Sequence, residues 1–197
     1  RIMNSTNGII TVFAGSASRP FAQKMCDYLG VELGKSTTHI FSEGGIYVRA
    51  DESIRNKDVY IVQSIGKDPN NAFTELIFWI DAFKRASANS ITAIIPYFGY
   101  AKADKKDEPR VSIRARVCAD CIEMCGADRV VTMDLHAAQV QGFFSKPVDH
   151  LYASALLCEY ARHLGIVNEN LVVVSPDAGS AKRARAYANI LGCNVAI

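Results

Sequence analysis

The chain has 197 residues, of which 49% are hydrophobic and 21% charged, the size and balance of one full domain or of one domain with a piece of a second. That composition excludes collagen-like, coiled-coil and disordered chains, and apolar runs of about five residues fall far short of the ~20 that cross a bilayer. A net charge of +2 without an aromatic-interleaved basic stripe points to neither a nucleic acid nor a membrane as partner. Residues 1–8 hold no apolar core of the secretory kind, so the expected location is cytoplasmic. In chain order, a strand over 9–14 leads into a helix over 19–29. Two short strands, 37–41 and 46–49, flank Glu43-Gly44-Gly45 as a hairpin-like excursion. Strands over 58–63, 91–96, 129–133 and 171–175 then alternate with helices over 71–87, 113–125, 153–164 and 179–191. The five runs outside the hairpin read as strands buried on both faces. The alternation predicts an α/β fold, a mostly parallel, doubly wound sheet with helices on both faces.

Of six cysteines, Cys118, Cys121 and Cys125 fall at i, i+3 and i+7 of a helical pattern, which suits small buried residues in a reduced protein; metal binding is the alternative. The chain opens on Arg1 and stops at 194–197 in what reads as another strand, so both ends look cut. The loop beyond that strand is expected to carry chemistry.

Four segments that follow strands are chemically loaded. Gly15-Ser16-Ala17-Ser18 is a small-residue turn entering a helix, either an anion cradle or a plain N-cap, and no Walker A or GxGxxG pattern supports the former. Residues 99–116 carry Lys102, Lys105, Lys106, Arg110, Arg114 and Arg116 against Asp104, Asp107 and Glu108, the excess a phosphate-rich ligand needs or a solvated loop tolerates. Thr132-Met133-Asp134-Leu135-His136 ends a strand in a carboxylate and an imidazole two residues apart, a pair suited to a Mg²⁺-nucleotide or a satisfied structural histidine. His39, His150 and His163 read as surface or packing residues. Ser175-Pro176-Asp177-Ala178-Gly179-Ser180 places an acid before a helix start, a metal-water ligand or an ordinary cap, with Lys182 and Arg183 one turn in.

The run TMDLHAAQVQGFFSKPVDHLYA (132–153) closely resembles the signature of ribose-phosphate pyrophosphokinases. VELGK (31–35), ESIRNKDVYIVQS (52–64), IPYFGYA (95–101), DKKDEPR (104–110) and VSPDAGSAKRA (174–184) support it, in order along the whole chain. The resemblance implies a phosphoribosyltransferase-like fold, with a first α/β domain over 1–150 and the opening of a second, similar domain over 151–197. It implies transfer of the diphosphoryl group of ATP to ribose 5-phosphate, giving phosphoribosyl diphosphate and AMP, with Mg²⁺ as cofactor and inorganic phosphate as activator. It also implies a homo-oligomer, often a hexamer.

Carried across by position, His136 matches the histidine that contacts the phosphates of Mg²⁺-ATP, and it is expected at the metal together with Asp134, Asp149 and Asp177, which match acids associated with the cation. Phe41, Glu43, Gly44 and Gly45 fall where the family receives adenine from a neighbouring subunit, and Lys102 and Ala103 fall on the loop that touches ATP. Ser53, Arg55, Lys106 and Arg110 match positions of phosphate or ADP regulation. Three departures stand out. Gly45 replaces a usual glutamate, Lys102-Ala103 replaces Arg-Gln, and Ser145 replaces an acid found in some relatives. The family's catalytic lysine-arginine loop and phosphoribosyl loop are expected beyond Ile197, so the 197-residue chain by itself is expected not to turn over. Two other readings stay open: a non-catalytic relative that assembles with the enzyme and regulates it, and an α/β binding module for another phosphorylated metabolite.

Overall fold

Four short runs rich in Val and Ile, which suit a pleated surface buried on two sides, and a fifth, more polar run build one parallel sheet. The structure, a computed structural model, describes residues 10–197, so the readings made on residues 1–9 lie outside the described residues. The chain divides into two compact units, the first ending at Leu151 and the second spanning Tyr152–Ile197.

In the first unit the elements run β1 (Ile10–Ala14), α1 (Arg19–Leu29), β2 (Ser36–Ile40), β3 (Ile46–Ala50), β4 (Asp58–Val62), α2 (Pro69–Arg85), β5 (Ser90–Ile95), α3 (Arg114–Cys125), β6 (Arg129–Met133) and β7 (Val148–Leu151). The sheet order is β1-β4-β5-β6-β7, every neighbouring pair parallel, so the C-terminal ends of all five strands open on one edge. β2 and β3 pair antiparallel as a separate hairpin, Ile40 opposite Ile46, in agreement with the expected excursion.

Alternation along β1 divides the core. Phe13 turns to one face, where its ring lies 4.9 Å from Phe83 and 6.1 Å from Trp79, both on α2. Val12 and Ala14 turn to the other face and meet Ala22 and Cys26 of α1. Each of these fully buried rings contributes about 1.5–3 kcal/mol of burial. α2 begins where Asp68 accepts the Asn71 N–H and Pro69 occupies the first turn, and ends with Lys84 and Arg85 against its carbonyl terminus.

The second unit holds α4 (Ser154–His163), β8 (Val172–Val174), α5 (Ala181–Leu191) and β9 (Asn194–Ala196), with β8 and β9 parallel. Burial of residues 171–175 on both faces, expected from their apolar character, is not what forms. Val172 and Val174 share one exposed face, while Leu171 and Val173 are half-buried and Ser175 is buried on the other, because two strands packed by α5 cover one side alone. The expected helix start at Gly179 also moves: residues 178–180 form a 3-10 turn and α5 begins at Ala181. β7 escaped the sequence reading because two of its four residues, Asp149 and His150, are polar.

All six cysteines are free, with Cys26, Cys118 and Cys158 buried. Burial pushes the Cys118 thiol up to about 12, the behaviour of a small core residue. No helix among the described residues is long and apolar enough to cross a membrane.

Candidate functional site

Because the sheet is parallel, the loaded segments of the first unit gather at one edge, beyond the strand ends. β6 passes into Asp134, which adopts a left-handed backbone with φ 45, uncommon for a residue carrying a Cβ. Two contacts from β7 and its neighbourhood fix this turn. The Asp134 N–H donates to the Leu151 carbonyl at 2.9 Å, and the Leu135 N–H donates to Nε2 of His150 at 2.9 Å. Leu135 is buried while Asp134 and His136 on either side of it are exposed, so the turn presents a carboxylate and an imidazole to solvent from a buried anchor. Burial pushes the His150 imidazole below its ordinary value, with Asp134 pulling the other way.

The cationic loop after β5 reaches this segment through one bond, Gln139 Nε2 donating to Asp104 Oδ2 at 3.2 Å. Lys102, Ala103, Lys105, Asp107, Glu108, Val111, Ser112 and Arg114 line a concavity of about 480 Å³ on that loop. Further along, Glu123 of α3 accepts two successive backbone N–H groups, from Ser145 at 2.5 Å and Lys146 at 2.7 Å, which pins the connection into β7.

The expected site residues do not all converge. Asp149 sits on β7 opposite Val131, down the strand from the turn, with Oδ2 held by Arg129 at 2.7 Å. Asp177 belongs to the second unit, where its Oδ1 caps the following turn by accepting the Ser180 N–H at 2.7 Å, and Ser175 Oγ donates to its carbonyl. Phe41, Glu43, Gly44 and Gly45 form the exposed tip of the hairpin. There the Phe41 N–H donates to the Gly45 carbonyl, the Gly44 N–H donates to the Phe41 carbonyl, and Gly44 takes φ 90. Ser53 and Arg55 line a depression of about 310 Å³ with Arg49, Glu52, Ala82 and Ala86, and the loop bearing Lys106 and Arg110 contributes nothing to it.

The loop after β1 has a different job. The Ser16 N–H donates to Glu75 Oε1 at 2.9 Å and Ser16 Oγ donates to Oε2. Gln63 Nε2, Trp79 Nε1 and Thr38 Oγ1 complete five donors around this carboxylate, which is only 2% exposed. Of the two alternatives for residues 15–18, the turn is therefore spent on the protein's own acid. Glu75 was missed from sequence, although a charged residue within the apolar stripe Ala72, Leu76, Trp79, Ile80 was an available signal, and His150, read as a surface or packing residue, is half-buried and hydrogen-bonded to the turn.

As for a divalent cation, no three His, Cys, Asp or Glu side chains among the described residues converge as a cage. An exposed carboxylate at Asp134 fits Mg²⁺, which keeps most of its waters and is commonly held by one or two carboxylates together with substrate phosphates.

Comparison with known proteins bears on what this edge serves. The family model described as the N-terminal domain of ribose phosphate pyrophosphokinase matches residues 10–126, more than half of the chain. A ribose-phosphate pyrophosphokinase of Porphyromonas gingivalis is 50% identical over 195 residues, covering 99% of this chain and 61% of the relative. One from Deinococcus radiodurans is 47% identical over 195 residues, with the same coverage of 99% and 61%. The crystal structure of phosphoribosylpyrophosphate synthetase from Mycobacterium smegmatis superposes with a TM-score of 0.89 at 42% identity, over 94% of this chain and 62% of that one. The chain thus spans about 61% of the length of these curated relatives. By the domain it carries, the chain belongs to the ribose phosphate pyrophosphokinase family.

Proposed function

We propose that the protein is a ribose-phosphate diphosphokinase, transferring the diphosphoryl group of ATP to the anomeric hydroxyl of ribose 5-phosphate and releasing AMP. The observation that carries this reading is the pinned Asp134-Leu135-His136 turn, joined through Gln139 and Asp104 to the cationic loop, in a chain of this family. In-line transfer of a diphosphoryl group asks little covalent chemistry of a protein; positioning and charge neutralisation supply the rate.

His136 would contact the phosphates of ATP, with Lys102 and Lys105 of the loop concavity neutralising charge beside it. Asp134 would hold Mg²⁺ through water, and Asp177, on the second unit, would contact Mg²⁺ near the ribose in its own right; Asp149 would act less directly, its carboxylate being engaged by Arg129. When bound, Mg²⁺ draws negative charge from the passing diphosphate. The hairpin tip, Phe41 and Glu43-Gly44-Gly45, would receive adenine in a neighbouring subunit, with Ala103 beside the nucleotide, which requires a homo-oligomer. Ser53 and Arg55, with Lys106 and Arg110 from a neighbouring subunit, would form the regulatory site for phosphate or ADP. Free, buried cysteines suit a reduced cytoplasm as the working compartment.

AMP release from ATP and ribose 5-phosphate, with Mg²⁺ and inorganic phosphate, tests the reading on the full-length protein. Release at a rate that depends on both substrates is the expected result. A folded full-length protein that releases none overturns it. Gly45 and Ala103 favour one second reading, a regulatory relative without turnover, and in that case the silent protein would alter the activity of a catalytic homologue mixed with it.

A further inference from the structure

We infer that His150 is a positioning residue for the Asp134-Leu135-His136 turn, acting as the hydrogen-bond acceptor that holds the Leu135 amide; this rests on the functional reading above. Three observations carry it. Asp134 occupies a left-handed conformation at φ 45, which a non-glycine residue keeps only when its surroundings over-determine it. Two contacts do so, the Leu151 carbonyl on the Asp134 N–H and Nε2 of His150 on the Leu135 N–H, each at 2.9 Å. Of the two, only the second is made by a side chain, so it is the one a substitution can remove.

The chemistry of the ring follows from its fixed partner. A backbone N–H can only donate, so Nε2 of His150 must offer its lone pair and the proton of the neutral imidazole must sit on Nδ1. Nδ1 faces the side-chain amide of Gln141 at 3.4 Å, and Gln141 also donates to the Ala138 carbonyl at 2.9 Å. With the proton on Nδ1, the approach of Gln141 Nε2 is a donor–donor contact and not a hydrogen bond, since the same nitrogen donates to the Ala138 carbonyl. The ring is thus held on the turn through Nε2 and packs beside the 3-10 segment Ala138–Phe143 at Gln141. His150 touches no reacting group in this arrangement. It sets the direction in which Asp134 and His136 project.

The experiment compares wild type, His150→Leu and His150→Gln in the full-length protein. Glutamine reaches about as far as Nε2 and brings an acceptor oxygen there, whereas leucine fills space without one. AMP release in His150→Leu is expected to fall about tenfold or more in kcat with the KM for ribose 5-phosphate unchanged, and His150→Gln to stay within about threefold of wild type. Wild-type turnover in His150→Leu, or an equal loss in both variants, overturns the inference. Should the wild type itself release no AMP, the functional reading fails, and the positioning role is read from exchange of the Leu135 amide, expected faster in His150→Leu and restored in His150→Gln. Should the variants fail to fold, the ring nitrogens of His150 in the wild type decide by NMR: a proton on Nδ1 supports the role and a proton on Nε2 overturns it.

Discussion

His136 is exposed beside a buried leucine, which separates its chemistry from the protein's stability. In the full-length protein His136→Ala should lower turnover strongly, by about 100-fold or more, with the unfolding midpoint little changed. Turnover within a few-fold of wild type would refute the contact with ATP phosphates. Glu75 is the opposite case. Glu75→Leu strands the buried donors of Gln63 and Trp79 and should cost about 3 kcal/mol or more, read from urea denaturation. These two residues show how unevenly the site was legible. The Asp-x-His pair announces itself because its residues are adjacent in sequence and follow a buried strand. The acceptor that holds Ser16 lies 59 positions away, and nothing in the order of residues encodes that distance.

At the scale of elements, the hairpin β2–β3 carries Gly45 at its tip, where the resemblance leads us to expect a glutamate. Gly45 has no positive φ, and a Cβ built there meets Glu43 Oε1 at 3.5 Å and Phe41 Cδ2 at 3.6 Å, ordinary contact distances. Gly45→Glu should therefore fold as wild type and, in the full-length protein, lower the KM for ATP several-fold; an unchanged KM would detach this position from nucleotide binding. Alternation and period sufficed to find β1, β4, β5, β6 and the helices of the first unit because each buries a face. At β8 they found the strand but not its exposed face, and they missed β7, where pairing with β6 overrides a polar composition.

The first unit as a whole is tied along its lower edge as well as at its functional one. Asp58 opens β4 and accepts Ser90 Oγ at 2.6 Å and Asn89 Nδ2 at 2.8 Å, bonds that hold its carboxyl below the usual range. A lowered folded pKa contributes stability above the ordinary aspartate value of about 3.9, and that contribution disappears as pH falls through the lower folded value. Ser90→Ala should accordingly weaken the protein at neutral pH, with the gap to wild type closing as pH falls below the ordinary aspartate range, as measured by paired denaturation curves. A gap that does not vary with pH would assign the loss to packing instead.

The uninterrupted order of the parallel strands has one more consequence. Between β1 and β6 lie β4 and β5, so the loop that ends at Ser18 and the turn at His136 are three strand spacings apart, about 14 Å. No single phosphoryl group can bridge that width. Two segments that look equally suited to phosphate when read as a string are thus assigned to separate tasks by the lateral repeat of the backbone hydrogen bonds, before any side chain is considered. A molecule that engaged both would have to lie across the strand ends, not along them.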